Sequence, residues 1–510
     1  MKIKDNYTPL LLCFGIAKLL LHFFTNTNYG FHRDEYLYLN QGDHLGWGFM
    51  EVPPMTPFIG KIASLLGGSI FMTRFFPALL GAITIVLVGL LVKSLGGKKW
   101  AIILACGSLL LSPALLGTNT LFQPVSFNQF SWFVCAYFLV KIIQTENPRY
   151  WYALGISIGL AWLTKYSIAF YGLGLGIAFL ISPQRKWLTT RYPYLALAIA
   201  LVIAAPNLFW QYEHNWPVFA HMAELQASQL VHVQWGDFLL NQLQFHFSFS
   251  LIWLAGLIGL FKIKALQPYR LVGLGFLLTI LLIGWLGGKA YYTLGAFTIL
   301  FAFGGLALEY WLQSNWSRIT LFAAMTILVL PSLPYALPLL KIEQMKKYCA
   351  YMADNYGLSS RLRWEDGKYY ELPQDFADMN GWEELSERLA KVYHALPAEK
   401  QRRCMIYGSS YGHACSVNYY RHKYNLPEVY SFSSSCLMWL PNEIDFDTQI
   451  MIADEPIETS SWFNTIILKD SIQNPYARDP GYIYYREDPK VDLKQRWKEV
   501  VAEEKKTFNF

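Results

Sequence analysis

Long apolar runs separated by short polar loops make up the chain as far as residue 340, and beyond that point charged, polar and apolar residues are mixed. A bilayer core of roughly 30 Å is crossed by a helix of about 20 apolar residues. The runs therefore predict about eleven transmembrane helices, at residues 8–24, 71–92, 100–116, 127–143, 151–163, 167–181, 194–210, 238–261, 271–286, 291–310 and 319–339. We predict a transmembrane domain over residues 1–340 and a soluble domain over residues 341–510.

The run at residues 151–181 decides the orientation of the chain. As one helix it would be roughly 45 Å long, too long for an ordinary span, whereas a turn at residues 164–166 divides it into two short helices. With that turn, the segments rich in Lys and Arg all lie in the cytoplasm, as the positive-inside rule requires. The first of these segments is the N-terminus, which contains Lys2 and Lys4. Because the N-terminal run lacks a small-residue cleavage site, we expect it to be retained as the first span. The predicted protein crosses the inner (plasma) membrane several times, and its C-terminal domain is extracytoplasmic.

Composition agrees with a membrane protein, since 54% of the residues are hydrophobic and 15% are charged. The net charge of +6 comes without a basic patch interleaved with aromatic residues, so no nucleic-acid partner is predicted. Four cysteines of the C-terminal domain lack CxxC spacing, which disfavours zinc and leaves a disulfide open only in an oxidising compartment. These four are Cys349, Cys404, Cys415 and Cys436.

Two lysines interrupt or end apolar runs on the predicted extracytoplasmic side. Lys165 lies in GLAWLTKYSIAFYGLGL and Lys289 in LLIGWLGGKAYYTLGAF. A lysine is a compact cation suited to a phosphate group, and the neighbouring hydroxyls of Tyr166, Tyr291 and Tyr292 can donate hydrogen bonds to the same anion. The alternative is that each lysine only extends from a helix end towards the membrane surface.

The stretch FHRDEYLY places two adjacent carboxylates, Asp34 and Glu35, on the same predicted side. Carboxylates in loops usually face water, and Glu35 has Arg33 and His32 beside it as structural partners. In the functional interpretation, one carboxylate accepts a proton from a substrate hydroxyl and so makes its oxygen a better nucleophile. Together with phosphate-binding lysines, this predicts transfer of a group from a phosphate leaving group to a hydroxyl.

The order of several motifs resembles the polyprenyl-phosphate-dependent membrane glycosyltransferases of glycosyltransferase family 39, the protein O-mannosyltransferase and aminoarabinose transferase group. The motifs are an aromatic-flanked Asp-Glu pair, GDHLGWGF, the pair Pro53-Pro54, LTKYSIAF, the loop APNLFWQYEHNWPVF, GKAYYTLGAF, and a tail that begins YGSSYGHACSVNYYRHKYN. The resemblance implies a GT-C fold, mostly α, in which a polytopic transmembrane bundle carries a soluble α/β domain. It also implies transfer of a sugar, usually with inversion, from a polyprenyl-phosphate donor in the membrane lipid to a glycan, lipid or protein acceptor.

By position, Asp34 is similar to the family's catalytic aspartate and Glu35 to its neighbour. The residues that fall where the family contacts the carrier phosphate are Lys165, Lys289, Tyr291 and Tyr292. His44 keeps the family's place before the Gly-Trp-Gly turn, where both a structural and a substrate-orienting role are open. The fourth span offers Asn128 and Gln129 without the carboxylate of many relatives. We therefore expect no required cofactor and leave a divalent metal open.

In the C-terminal domain, RRCMIYGSS predicts a strand entering a turn and YGHACSVNYYRHKYN the helix after it, an α/β arrangement. The spacing in GSSYG is not that of a nucleophile elbow. The sequence also leaves open a transporter or flippase of lipid-linked sugars and a non-catalytic partner subunit. Against the transporter stand the absence of a detectable internal repeat and the position of the polar residues at one surface instead of the bilayer midplane.

Overall fold

The computed structural model describes residues 6–510, so Lys2 and Lys4 lie outside the described residues. Its contacts divide the chain into two compact units. The helical unit comprises the residues up to Thr27, Phe71–Leu208 and Glu224–Leu339, and the mixed unit comprises Asn28–Ile70, Phe209–Ala223 and Leu340–Phe510. The division thus differs from a single cut at residue 340, because two earlier segments belong with the C-terminal residues.

The helices follow the apolar runs of the first part and continue into the second. In chain order they are α1 (Thr8–Phe23), α2 (Arg33–Asp43), α3 (Met55–Leu65), α4 (Ile70–Ser94), α5 (Lys99–Leu111), α6 (Pro113–Thr118), α7 (Pro124–Thr145), α8 (Arg149–Trp162), α9 (Ile168–Ile181), α10 (Tyr192–Glu213), α11 (Pro217–Ser228), α12 (Trp235–Gln244), α13 (Ser250–Lys262), α14 (Arg270–Trp285), α15 (Thr298–Trp311), α16 (Asn315–Val329), α17 (Leu333–Ala336), α18 (Ile342–Tyr356), α19 (Gln374–Ala377), α20 (Trp382–His394), α21 (Ala398–Arg402), α22 (Tyr411–Tyr424) and α23 (Leu493–Lys506).

Among the described residues, five helices are long and apolar enough to cross a membrane, or up to seven if two bent pairs each count as one span. Several other predicted spans form shorter apolar helices, α1, α5 and α9, and the number of about eleven spans stays a prediction. The predicted turn at residues 164–166 is confirmed, since α8 ends at Trp162 and α9 begins at Ile168.

Three predicted spans are interrupted. Residues 238–261 divide into α12 and α13, bent by 89° at Phe247, whose φ of +46° lies in the left-handed region. Residues 291–310 begin as a 3₁₀ helix, Ala290–Ala296, bent by 56° from α15. Residues 100–116 break at Pro113, which has no backbone N–H to continue α5. Apolar pattern does not show such breaks because both sides of each are apolar.

The motif at residues 205–219, which resembles a loop of the family and overlaps the predicted span 194–210, is mostly helical. Its first part completes α10, and α11 begins at Pro217. The chain turns between them at Asn215 and Trp216, both with φ of +55°.

Close helix contacts through small residues build the helical unit. Helices α13 and α15 approach so closely that a Cβ on Gly304 would overlap the carbonyl oxygen of Ile252, and one on Gly256 would overlap that of Leu300. Side chains larger than hydrogen at these two glycines would force the helices apart.

A five-stranded sheet organises the mixed unit. The strands are β1 (Cys404–Gly408), β2 (Val429–Tyr430), β3 (Thr448–Ala453), β4 (Phe463–Asp470) and β5 (Tyr482–Pro489), in the order β2-β1-β3-β5-β4. Strands β2, β1 and β3 are parallel, and β5 pairs antiparallel with β3 and β4. The predicted strand, turn and helix at β1 and α22 are confirmed. Apolar residues of α2, including Tyr36 and Leu37, share the core formed by α20, α22 and the sheet.

Candidate active site

His32 is the N-cap residue of helix α2, and both predicted catalytic carboxylates, Asp34 and Glu35, lie in the first turn of this helix. The His32 imidazole accepts a hydrogen bond from the backbone N–H of Asp34 (3.1 Å), and the Glu35 carboxylate accepts one from the backbone N–H of His32 (2.7 Å). This reciprocal pair is a capping box, which satisfies N–H groups that the start of a helix leaves without helical partners. Glu35 is fully buried, whereas the Asp34 side chain is 29% exposed. The carboxylate of Glu35 thus serves the helix, and that of Asp34 is the accessible one.

The exposed carboxylate of Asp34 is held by the start of α22. The Tyr411 hydroxyl donates a hydrogen bond to Asp34 Oδ1 (2.7 Å), and Arg33 Nε lies 4.0 Å from the same oxygen. The Arg33 guanidinium also lies 4.9 Å from the centre of the Tyr411 ring. A Cβ on Gly412 would lie 2.8 Å from Arg33 Cγ and Cδ, so glycine at this position leaves room for the arginine.

The surroundings of Asp34 favour its charged form. Burial is the largest influence on its pKa and favours protonation, but the charges of His32, Arg33 and Arg478 and the hydrogen bond from Tyr411 outweigh it, so the pKa lies below its ordinary value. Burial, followed by the charge of Asp34, raises the pKa of Tyr411 well above its ordinary value. Asp34 is therefore a carboxylate near neutral pH, and Tyr411 keeps the proton that it donates.

Asp378 contacts the side chains of Arg478 and His32 and the backbone of Arg33. It is buried and forms an ion pair with Arg478 (2.9 Å), while His32 Nε2 lies 3.6 Å from its carboxylate. Its carbonyl oxygen accepts a hydrogen bond from the backbone N–H of Arg33 (3.1 Å). Sequence reasoning missed Asp378, Arg478 and Tyr411, because these residues lie more than 300 positions from Asp34 and contacts at such separation leave no local pattern.

His44 follows α2 and stacks on Trp439, with 4.3 Å between ring centres and 17° between the planes. Its Nδ1 lies 3.1 Å from the carbonyl oxygen of Asn40. Nearby, the Glu51 carboxylate accepts hydrogen bonds from the backbone N–H of Ser435 (2.8 Å) and the Gln41 side chain (2.8 Å). The His44 ring therefore has a packing role, and a role in orienting a substrate stays a prediction.

In the helical unit, the predicted phosphate-binding residues come together from two distant segments. Lys165, in the turn between α8 and α9, has its Nζ 5.2 Å from the centre of the Tyr291 ring and 5.1 Å from that of Tyr292. Lys289 precedes the 3₁₀ helix that carries both tyrosines, lies 5.9 Å from the Tyr291 ring and donates a hydrogen bond to Gln229. The two lysines thus share the ring of Tyr291.

Tyr166, the residue after Lys165 in the same turn, is hydrogen-bonded to α10. Its hydroxyl accepts a hydrogen bond from the Asn207 side chain (3.1 Å), and Asn207 Oδ1 accepts one from the Trp162 indole (2.9 Å). These hydrogen bonds join the turn to α10 and so hold the backbone at Lys165 in place. In the part of the chain that the structure describes, no carboxylate lies within 4.0 Å of Lys165 Nζ.

The positions where many relatives carry a carboxylate, Asn128 and Gln129, take part in contacts within the helical unit. Asn128 Oδ1 accepts a hydrogen bond from Ser167 (3.5 Å), and Gln129 Oε1 accepts one from Thr118 (2.9 Å). Over residues 6–510, no group of three or more His, Cys, Asp or Glu side chains is arranged to hold a metal ion.

Comparison with known proteins shows similarity in sequence over part of the chain and in fold over most of it. The family model described as dolichyl-phosphate-mannose-protein mannosyltransferase matches residues 51–210, a segment that includes Lys165 and Tyr166 but not Asp34 or Lys289. The lipid A galacturonosyltransferase RgtD of Rhizobium johnstonii is 25% identical over 225 residues, which are 42% of this chain and 45% of RgtD. The match therefore spans less than half the length of that relative.

Two solved structures of ArnT from Cupriavidus metallidurans have a similar fold over nearly the whole chain. The complex with undecaprenyl phosphate has a TM-score of 0.60 at 13% identity and covers 96% of this chain and 99% of ArnT. The apo structure has a TM-score of 0.58 at 14% identity and covers 94% and 98%. The predicted fold class and the predicted resemblance to this group of membrane glycosyltransferases are confirmed.

Proposed function

We propose that this chain, which has the fold of the GT-C membrane glycosyltransferases, transfers a sugar from a polyprenyl-phosphate donor to an acceptor hydroxyl on the extracytoplasmic face of the membrane. The observation that carries the proposal is the Asp34 carboxylate, which is partly exposed and accepts a hydrogen bond from the Tyr411 hydroxyl. A carboxylate held in this way is suited to accept a proton from a hydroxyl nucleophile.

The proposed step is a single displacement. The acceptor oxygen attacks the anomeric carbon, the bond from that carbon to the phosphate oxygen breaks, and Asp34 takes the hydroxyl proton. The leaving group is the polyprenyl phosphate, whose added charge Lys165 and Lys289 stabilise with Tyr291 and Tyr292 as neighbours. Because attack and departure occur on opposite sides of the anomeric carbon, the product has inverted configuration.

The relatives suggest where to look for substrates. RgtD acts on lipid A by its name, and the ArnT complex contains undecaprenyl phosphate. We propose an undecaprenyl-phosphate sugar as donor and a lipid A hydroxyl as the first acceptor to test, followed by peptide and cell-wall acceptors. Since the lysines supply positive charge for the phosphate, we propose that no metal ion is required, and an assay in excess EDTA tests this.

A detergent assay tests the proposal against a transporter or flippase. The purified protein is mixed with the polyprenyl-phosphate sugar and each acceptor in turn, and mass spectrometry follows the released polyprenyl phosphate and the glycosylated acceptor. Detergent removes the two compartments between which a transporter works, so consumption of the donor identifies an enzyme. Intact donor with every acceptor, together with movement of the donor across reconstituted vesicles, would favour the transporter.

The contact between Tyr411 and Asp34 predicts a shift in the pH dependence of transfer. Asp34 is active as the carboxylate, so the rate falls as pH falls through its pKa. Because the Tyr411 hydrogen bond lowers that pKa, Tyr411→Phe should move the acidic limb of the kcat/KM profile to higher pH. Tyr424→Phe, on the same helix but with its hydroxyl on Glu383 (3.3 Å), should leave the limb unchanged. Identical limbs in wild type and Tyr411→Phe would contradict the assignment.

The lowered pKa of Asp34 also makes the free energy of unfolding depend on pH, as is usual for a carboxylate in an ion pair or hydrogen bond. A folded-state pKa below the unfolded value contributes stability that is present above the unfolded pKa and is lost as pH falls through the folded pKa. The wild type should therefore lose more stability than Tyr411→Phe between neutral and acidic pH.

A further inference from the structure

Two buried cysteines of the mixed unit lie in contact. Cys415 is on α22 and Cys436 is in the 3₁₀ helix Ser434–Trp439, and their Sγ atoms are 3.5 Å apart. Their exposed fractions are 1% and 8%, and both belong to the core formed by α2, α20, α22 and the sheet. All seven cysteines are free in the structure. A buried free cysteine packs as a small apolar residue, so packing alone does not require a second thiol beside it.

We propose that Cys415 and Cys436 form a disulfide bond in the native protein. The sulfur atoms of a disulfide are about 2.05 Å apart, so the bond brings the two Sγ atoms, now 3.5 Å apart, closer together by roughly 1.5 Å. The proposal also rests on the extracytoplasmic orientation of the proposed function, because disulfides persist in oxidising compartments.

The bond forms by thiol–disulfide exchange with an external disulfide, such as that of a thiol oxidase. One cysteine thiolate attacks the oxidant's disulfide and displaces one thiol. The second cysteine then attacks the mixed disulfide and displaces the other, so that two protein thiols are oxidised and one external disulfide is reduced to two thiols. Burial, followed by the neighbouring Cys436, raises the pKa of the Cys415 thiol well above its ordinary value. The exchange therefore takes place while the chain folds, before the pair is enclosed.

The proposed disulfide joins two segments that contact α2 and the loop after it. Helix α22 carries Tyr411, the partner of Asp34. The 3₁₀ helix carries Ser435, which donates hydrogen bonds to Glu51, and Trp439, on which His44 stacks. A covalent bond between these segments fixes the spacing of the supports around α2, and its effect is on stability and not on the chemical step.

The test begins with protein taken from cells and alkylated with N-ethylmaleimide at lysis. After digestion without reductant, mass spectrometry should find one linked peptide pair containing Cys415 and Cys436, lighter by two hydrogen atoms than the two thiol peptides together. The oxidised protein should melt about 5 to 10 °C above the reduced protein. Cys415→Ser and Cys436→Ser should each remove the linked peptide and the reductant-sensitive part of the melting temperature, whereas Cys404→Ser, also buried in this unit, should keep both.

If N-ethylmaleimide alkylates both Cys415 and Cys436 in the protein from cells, the proposal is wrong. A second treatment then shows whether the geometry or the compartment is the cause. If oxidised glutathione closes the bond in protein partly unfolded and refolded in detergent, the geometry fits and the unit folds in a reducing compartment, which contradicts the extracytoplasmic orientation. If it does not close the bond, the geometry is wrong. Sugar transfer measured on the same preparation reports separately on the proposed activity.

Discussion

Replacing Asp34 with asparagine should lower the rate of sugar transfer by about 10²- to 10⁴-fold, the contribution that a positioned general base makes. Asparagine has nearly the same shape, and its side-chain oxygen can still accept the hydrogen bond from Tyr411. It cannot take a proton from the acceptor hydroxyl. The loss should therefore appear in kcat, with little change in donor KM, when initial rates are measured in detergent with the purified donor.

A matched variant on the same helix separates chemistry from folding. Asp43 is 58% exposed and pairs with Lys61 at the surface (3.0 Å), so Asp43→Asn makes the same chemical change without touching Asp34 and should keep the wild-type rate. Gel filtration and the melting temperature should be alike for both variants. An Asp34→Asn enzyme with a rate within a few-fold of wild type would remove Asp34 from the mechanism.

The neighbouring carboxylate shows what local sequence can and cannot establish. The adjacency of Asp34 and Glu35 predicted a functional pair but did not say which member is accessible. The structure separates them by helix capping, since Glu35 lies three residues after His32, the spacing of a capping box. That spacing was present in the sequence, yet histidine is not among the residues that usually cap a helix, so the signal was easy to miss.

Apolar pattern predicted where helices lie better than where they break. The turn before α9 was predicted because an unbroken helix would have been too long and the positive-inside rule required a turn. No comparable constraint applied at Phe247, where the break depends on a left-handed residue between two apolar segments. Local pattern also predicted β1 and α22, but not that the first residue of α22 contacts Asp34. That contact joins residues 377 positions apart and is made by tertiary packing alone.

Lys165→Gln should lower kcat/KM for the donor by about 10²- to 10³-fold, the cost of removing one group that stabilises charge in a transition state. The Lys165 Nζ lies over Tyr291 and Tyr292, and a phosphate that reaches this cation gains a charge-assisted contact beside two hydroxyls. Glutamine keeps much of the length of the side chain and loses the charge. Lys165→Arg restores the charge and should recover part of the rate.

The alternative, in which Lys165 only packs at a helix end, makes a different prediction. If the lysine serves the cation–π contacts alone, Lys165→Gln should lower the melting temperature and leave donor kinetics near wild type. Lys186→Gln is the matched control, because Lys186 is 63% exposed and pairs with Glu146 (3.1 Å) away from the two tyrosines. Binding of undecaprenyl phosphate, measured by its inhibition of transfer, should weaken in Lys165→Gln and not in Lys186→Gln. Equal inhibition of both variants would assign the phosphate to other residues.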